Sequence, residues 1–322
     1  MTVKDNVLNW AIRYVQNPPG IKVTPADLLN YNQLACRAHY GTRGALRVAH
    51  AEKLYQVRTA IELSMHRDLM QKQTDHRKLA AQLVEEDPFG ASSKQGVSFR
   101  LALMSCNPSR LCRLWCYAHD GKDVLPGSIE RGVKNSLLAS LFETGTPSVM
   151  KIILKGLEPH VDRALWGAVD DSQKAKAWGF VRQPRIRFAH VGDIARYPHF
   201  ANAIAQMIHD RSYGQVQCVT YTRRREVVLL DPDLWRVNFS LDESSMDRKK
   251  YVPSTATITY AAFDGKTCPD AYVNFAEHHG LVRYKTRGVG FICPSTRFGR
   301  PHGCDANRCD RCFAEPKKGG RR

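Results

Sequence analysis

Seven of the ten cysteines in this chain of 322 residues fall into two groups. Cysteine thiolates gathered in this way are typical of metal sites, because four can complete a zinc site or an iron–sulfur cluster, whereas three leave one coordination position open. The grouping therefore predicts one open and one closed metal site. The predicted ligands are Cys106, Cys112 and Cys116 for the open site, and Cys293, Cys304, Cys309 and Cys312 for the closed site.

The remaining cysteines, Cys36, Cys218 and Cys268, carry no ligand spacing. Cys36 and Cys218 lie within apolar stretches, which predicts that they are buried packing residues. Residues 1–7 contain no basic segment followed by an apolar run, so nothing predicts export to an oxidising compartment where disulfides form. No apolar run approaches the roughly 18 residues of a membrane-spanning helix. We therefore expect a cytoplasmic protein with free or metal-bound thiols and no membrane partner.

The chain carries a formal net charge of +17 and has a pI near 9.6. Such an excess favours an anionic partner, either nucleic acid or a phosphorylated small molecule. The charge is uneven, since residues 281–322 contain eleven Lys and Arg against three acids. No spaced aromatic stacking platform accompanies this segment, so a surface that is merely soluble remains an open alternative.

The pattern of apolar and turn residues predicts two domains, a helical one over residues 1–90 and an α/β one over residues 91–322. Thr24-Pro25-Ala26-Asp27 is typical of a helix start, with a hydroxyl cap, proline in the first turn and an acid close behind. A stretch rich in proline, glycine and serine, residues 87–96, marks the predicted boundary. One long helix is predicted from an apolar stripe of Leu54, Val57, Ile61, Met65 and Leu69.

Short β-rich runs alternate with helical segments after residue 96, which predicts an α/β fold with a parallel sheet, either open or closed into a partial (β/α) barrel. Loops that follow the carboxyl ends of parallel strands build the ligand site in such folds. Asp193 as a helix cap and Asp242 as a turn residue are simpler alternatives. The predicted strands cover residues 97–104, 185–191, 216–221, 236–241, 255–263 and 281–284. The candidate catalytic residues are Asp193, Tyr221, Arg223 and Asp242, and the candidate cofactor contacts are His190, Gly192, Asp193 and Ser240.

Several short motifs of the α/β region resemble the phage and plasmid family called gene product 88. They occur in the family's order and cover roughly residues 89–313. The resemblance implies the fold more than it implies an activity. The motifs are Cys112-Arg-Leu-Trp-Cys116-Tyr-Ala, Arg187-Phe-Ala-His190-Val-Gly-Asp193, Val219-Thr-Tyr221-Thr-Arg223, Asn238-Phe-Ser240-Leu-Asp242, Cys293-Pro, and Cys309-Asp-Arg-Cys312-Phe.

A looser resemblance is to radical S-adenosylmethionine enzymes. In that family three cysteines follow the first strand of a partial barrel and hold a four-iron cluster whose fourth iron binds S-adenosylmethionine. Trp115, just before the last cysteine of the triplet, fits this pattern. The spacing C-x5-C-x3-C departs from the family's C-x3-C-x2-C. Gly192-Asp193 stands where the family carries a Gly-Gly-Glu segment for the cofactor's amine.

These observations lead to a first hypothesis, an iron–sulfur protein with an open four-iron cluster that cleaves S-adenosylmethionine to start radical chemistry. The four later cysteines would hold an auxiliary cluster or zinc. The alternative is a basic nucleic-acid-binding protein stabilised by zinc and without catalysis, and a third reading gives all seven cysteines a purely structural role. His119 and His302 are expected to be surface loop residues, although either imidazole could replace a thiolate ligand. The arginines that support the nucleic-acid alternative are Arg297, Arg300, Arg308 and Arg311.

Overall fold

A computed structural model gives the fold of the chain. It describes residues 6–16, 23–38, 44–92, 96–114, 116–119, 121–177, 179, 181–262, 268, 270–271, 273–276 and 291–292. The second cysteine group and the predicted strand at residues 281–284 lie outside these described residues, as does Trp115.

The first part of the chain is helical, as predicted. The cap at Thr24 is a reciprocal capping box: Asp27 N donates to Thr24 Oγ1 at 3.2 Å, and Thr24 N donates to Asp27 Oδ2 at 2.9 Å. The predicted long helix is α3. The helices in the described residues are α1 (Asn6–Gln16), α2 (Pro25–Cys36), α3 (Gly44–Lys72), α4 (His76–Leu83), α5 (Arg110–Leu114), α6 (Pro126–Thr144), α7 (Pro147–Ala177) and α8 (Pro198–Ser212).

The strands form one sheet whose spatial order is the order of the chain. The first two strands pair antiparallel, and every later neighbour pair is parallel. The α/β prediction is thus confirmed in the form of an open, mostly parallel sheet. The strands are β1 (Phe89–Ser92), β2 (Gly96–Phe99), β3 (Arg185–Phe188), β4 (Gln217–Thr222), β5 (Trp235–Leu241), β6 (Thr257–Ala262), β7 (Val273–Ala276) and β8 (Phe291–Ile292).

The chain divides into two compact units, and both are discontinuous in sequence. Unit 1 contains Met1–Pro88 and Arg100–Gly156, and unit 2 contains Phe89–Phe99 and Leu157–Arg322. Residues 87–96, read from the sequence as a break, contain β1 and the start of β2. The hairpin that they form belongs to unit 2.

One apolar core of unit 1 is built by one face each of α1, α2 and α3, together with Ile129 of α6. The predicted stripe on α3 is buried at Leu54, Val57 and Ile61, but it becomes only half-buried at Met65 and Leu69. Cys36 was predicted to be buried, and this is wrong. It ends α2 on the side away from the buried Leu34 and Ala35, where the helix faces solvent.

Unit 2 has its apolar core on one face of the sheet. Phe99, Phe188 and Trp235 stack along this face, with ring centroids 5.5 Å apart for the first pair and 5.1 Å for the second. Helix α8 covers the same face, since the Phe200 ring lies 5.9 Å from that of Phe99. Cys218 in β4 is buried, as predicted. Helices long and apolar enough to cross a membrane are absent from the described part of the chain.

Close packing in unit 1 yields a prediction at Gly156 of α7. A Cβ there would lie 2.6 Å from the Cβ of Val84, which caps the end of α4, and closer still to its Cγ2, so Gly156→Ala forces α7 and Val84 apart. We expect the substitution to lower the free energy of unfolding by about 1–3 kcal/mol, as measured by urea denaturation.

Gly127→Ala provides the matched control, because nothing lies within 4 Å of a Cβ at that position of α6. Alanine favours the helix there, so the control should leave the free energy of unfolding unchanged or raise it by up to about 1 kcal/mol. Equal losses in the two variants would contradict the packing argument.

Candidate functional site

Three cysteines of unit 1 lie on the segment that follows β2 in the chain. Cys106 ends a short 3₁₀ turn, where its amide donates to the Leu103 carbonyl at 3.0 Å. Cys112 lies in α5, and its amide donates to Ser109 Oγ at 3.0 Å in the first turn of that helix. Cys116 is buried, whereas the other two cysteines are half-exposed. Hydrogen bonds of their own amides therefore hold Cys106 and Cys112 in place.

A hydrogen bond joins the side chains of Cys116 and Cys112. This bond, burial, and the charges of the nearby Cys112 and Cys106 sulfurs raise the pKa of Cys116 well above that of an ordinary thiol, although the Ala118 amide partly opposes the rise by donating to its sulfur. Among the described residues, no three His, Cys, Asp or Glu side chains are placed to hold a single metal ion. The three sulfurs thus influence one another electrostatically without forming the tight group that one ion requires.

A buried polar network holds this cysteine segment to the N-terminal helices. Arg58 and Glu62 of α3 form an ion pair with side chains 1% and 0% exposed. Glu62 Oε2 accepts from the Met104 amide at 2.8 Å, two residues before Cys106. Arg58 Nη1 donates to the Asp123 carbonyl at 3.0 Å. The ion pair therefore anchors the segment on both sides of the cysteines.

His119 and Tyr31 extend the network. The expectation that His119 is a surface loop residue is wrong, because it is 1% exposed. Its Nδ1 lies 2.8 Å from the hydroxyl of Tyr31 in α2, and Arg58 Nη1 donates to the same hydroxyl at 3.4 Å. Burial raises the pKa of Tyr31 to about 12, even though Arg58 opposes that rise. His119 is therefore a buried residue that forms a hydrogen bond with Tyr31.

In unit 2, Asp193 lies just beyond β3 at the carboxyl edge of the sheet. Its carboxylate accepts from Thr222 Oγ1 at 2.9 Å, from the Arg223 amide at 3.3 Å and from the Ala195 amide at 3.1 Å. The last bond makes it the N-cap of a 3₁₀ helix. Burial nevertheless outweighs these donors and raises the pKa of Asp193 to about 6. Asp193 therefore has a capping role, whatever further role it plays.

Asp242 follows β5 at the same edge and is fully buried. Its carboxylate accepts from Arg223 Nη1 at 2.7 Å, and it caps a second 3₁₀ helix through the Ser244 amide at 2.9 Å and a reciprocal contact with Ser245. Arg223 thus binds Asp193 through its main chain and Asp242 through its guanidinium. Asp193, Arg223 and Asp242, three of the four candidate catalytic residues, therefore lie together and are linked by hydrogen bonds.

The other predicted site residues of unit 2 also lie at or near this edge. Tyr221 receives the guanidinium of Arg187 over its ring, 4.6 Å from the centroid. Ser240 Oγ lies 3.1 Å from Thr259 Oγ1 of the neighbouring strand. Gly192 has φ 84°, a left-handed conformation that suits glycine, and it directly precedes Asp193. His190 is half-buried at the end of β3.

The sheet has a polar face that the site prediction did not include. The register places Arg187, Val219 and Arg236 side by side in one row, and Tyr221, Asn238 and Thr257 in the next. Among the described strand positions, this face carries no Asp or Glu. The signal was present as period-two alternation in Arg185-Ile-Arg187-Phe and Arg236-Val-Asn238-Phe-Ser240, which places polar side chains on one face only.

Most of the polar face is buried. Arg187 is 6% exposed, Arg236 9%, Thr257 4% and Asn238 0%. Arg187 Nε, both polar side-chain atoms of Asn238 and the Thr257 hydroxyl have no hydrogen-bond partner within the part of the chain that the structure describes. Buried polar atoms without partners are rare in folded proteins, so this face stands out as a candidate for binding.

The model of the family described as Gene product 88 matches residues 67–315. The chain belongs to this family. The resemblance proposed from the motifs is therefore confirmed, and the match extends it into α3. The match includes both cysteine groups and the strands β1–β8, but it omits Tyr31, Arg58 and Glu62 of the buried network. No curated protein and no solved structure matches the chain.

The buried ion pair predicts a large effect of Glu62→Gln on stability. The substitution keeps the shape of the side chain but leaves the Arg58 guanidinium buried without its counter-charge, so we expect a loss of about 3 kcal/mol in the free energy of unfolding by urea denaturation. Because Glu62 holds the Met104 amide, the half-exposed Cys106 should also react faster with a maleimide.

Asp68→Asn is the matched control, since Asp68 and Lys72 form an exposed pair at the same spacing on the same helix. An exposed pair contributes little, so stability and thiol reactivity should stay close to those of the wild type. If both variants lost equal stability, the buried pair would not anchor the segment.

The raised pKa of Asp193 predicts a pH dependence of stability. Its ordinary value is 3.8 and its folded value about 6, so between these values the folded protein keeps a proton that the unfolded chain releases. Stability from this group is complete below about pH 4, falls as the pH rises to about 6 and is then constant, a change on the order of 3 kcal/mol. Urea denaturation across this range should show the slope in the wild type, and Asp193→Asn should remove it.

Asp162 offers a control of opposite sign, because its hydrogen bond with Arg211 lowers its pKa. Asp162→Asn should leave the slope between pH 4 and pH 6 in place, since the contribution of Asp162 is lost only at lower pH. A wild-type protein without this slope would contradict the assignment of Asp193.

Proposed function

We propose that this protein is an iron–sulfur protein in which Cys106, Cys112 and Cys116 bind a four-iron cluster that has one open iron. The observation that supports it is the mutual influence of the three sulfurs, with Cys116 hydrogen-bonded to Cys112 and both Cys112 and Cys106 raising its pKa. The buried Cys116 thiol, next to two further sulfurs, ionises with difficulty unless a cation lies nearby.

We favour a cluster over a single zinc ion at this site because three cysteines leave one iron of a four-iron cluster open. Each cysteine of a cluster binds a different iron, so the sulfurs stand farther apart than they do around one ion. The described residues contain no three-residue group fit for one ion. A cluster at the triplet therefore needs wider separations between the sulfurs than a zinc ion would, and metal analysis distinguishes the two.

Hydrogen bonds hold the cysteine segment in place, which also supports the proposal. Metal centres depend on residues that orient their ligands. Here the Met104 amide binds Glu62, the Cys112 amide binds Ser109, and the Ala118 amide binds the Cys116 sulfur. An N–H donor aimed at a sulfur favours the thiolate form that binds metal. The segment is thus prepared for ligation by contacts that do not involve metal.

S-adenosylmethionine as the ligand of the open iron is the finer part of this proposal. It is supported by the number of cysteines in the triplet and by their place after the first parallel strand, β2, in the chain. A bound cluster would offer its open iron to the amine and carboxylate of S-adenosylmethionine and, after reduction by an external electron donor, would supply the electron for cleavage. Cys293, Cys304, Cys309 and Cys312 are proposed to hold an auxiliary cluster or zinc, and closure of the sheet into a partial barrel belongs to the same proposal.

The runner-up is a basic nucleic-acid-binding protein stabilised by zinc. The observation that favours it is the charge of residues 281–322, with eleven Lys and Arg against three acids. This alternative expects salt-dependent binding of DNA or RNA that persists after Cys106→Ala.

Metal analysis of protein purified without oxygen tests the proposal. We expect iron and acid-labile sulfide together with a broad visible absorption, and a loss of about four irons per protein in Cys112→Ser and in Cys116→Ser. Cys36→Ser is the matched control, because Cys36 is exposed on α2 in the same unit and carries no ligand spacing.

Colourless protein that contains zinc alone would sink the iron–sulfur proposal and leave the runner-up. Iron that survives both triplet variants but disappears in Cys309→Ser would place the cluster at the second group and contradict the assignment to the triplet.

A further inference from the structure

The buried polar face of unit 2 is a candidate binding site in addition to the cysteines. Its two central rows contain two arginines, a tyrosine, an asparagine and a threonine, and the described strand positions of this face include no carboxylate. A buried guanidinium is costly unless an anion compensates its charge. The described strands themselves supply no negative charge to this face.

Register defines the geometry of this face. Arg187 of β3 and Arg236 of β5 flank Val219 of β4 in a single row. Adjacent strands are about 4.8 Å apart, so the two arginines begin roughly 10 Å from each other with only a small apolar side chain between them. Side chains of that length can converge above Val219 on one oxyanion.

The neighbouring row adds hydrogen-bonding groups and a rigid platform. The ring of Tyr221 supports the Arg187 guanidinium at 4.6 Å, which limits its freedom. Next to it, Asn238 and Thr257 present buried amide and hydroxyl atoms that have no partner among the described residues. These atoms include both donors and acceptors, which suits the polar body of a small molecule.

We propose that this face binds the phosphate or carboxylate group of a small molecule between Arg187 and Arg236, with Asn238 and Thr257 contacting the rest of the ligand. A small molecule is favoured over nucleic acid because the four side chains are at most 9% exposed, beyond the reach of a duplex or an extended strand. Arginine suits this task better than lysine because its planar fork binds an oxyanion in two places. The inference does not require metal at the cysteines.

Calorimetric titration of the full-length protein with inorganic phosphate, and separately with malonate, tests the site and distinguishes the two anion classes. We expect saturable binding of at least one anion and a loss of about tenfold or more in affinity in Arg187→Lys, which keeps the charge but loses the fork. Arg211→Gln is the control, because this exposed arginine of unit 2 pairs with Asp162. Its affinity should equal that of the wild type.

Asn238→Leu separates binding from structure. Leucine has a similar size and removes two buried polar atoms that lack partners in the described structure, so the variant should melt at a higher temperature while binding the anion at least tenfold more weakly. A purely structural asparagine would instead give a lower melting temperature. The Cys112→Ser variant should bind the anion as the wild type does, so failure of the metal proposal and failure of this one are distinguishable.

Three results would overturn the inference. They are unchanged affinity in both Arg187→Lys and Asn238→Leu, equal loss of affinity in Arg211→Gln, and binding of an oligonucleotide without any binding of phosphate or malonate. The second of these would assign anion binding to the basic surface, and the third would assign it to nucleic-acid recognition.

Discussion

The stability of unit 2 depends on the difference between the two faces of its sheet, one polar and buried and the other apolar. Parallel sheets normally bury apolar side chains on both faces, but here one face carries Arg187, Arg236 and Asn238 in buried positions. Each buried group of this kind costs free energy, so the opposite face must supply the stability. It does so with interlocked aromatic rings, including those of Phe99, Phe188 and Trp235. A face so costly to maintain is a better candidate for function than a face that merely packs.

Strand order explains how such a face arises. The strands follow one another in chain order, and right-handed crossovers between successive parallel strands then place their connections on the same side of the sheet. Helix α8 lies on that side, against the Phe99 ring. The polar face is therefore not required to pack against crossover helices, and its strands are free to carry arginine at alternate positions. The strand order and the residues on the strands therefore both point to the polar face as the one open to binding.

Local patterns predicted the local structure well. The capping box at Thr24, helix α3 and strands β3 to β6 each depend on residues close in sequence, and all are visible as periodicity or cap chemistry. The buried network could not be predicted in this way, because Tyr31 and His119 are 88 residues apart and neither position is marked by its neighbours. Strand β1 was not predicted either, because it lies in a stretch rich in turn residues and is held there by its pairing with β2. The polar face was readable from alternation, but only register shows which residues share a row.

Part of the buried network that holds the cysteine triplet lies outside the region that the family model matches. The family match begins at residue 67, so Arg58 and Glu62 lie outside it, although Glu62 accepts a hydrogen bond from the Met104 amide, two residues before Cys106. Support for the triplet thus comes partly from helices that the family model does not include. If the triplet binds a cluster, the matched region alone leaves out the ion pair that anchors the segment, and fragments beginning near residue 67 should hold iron less firmly than the full chain.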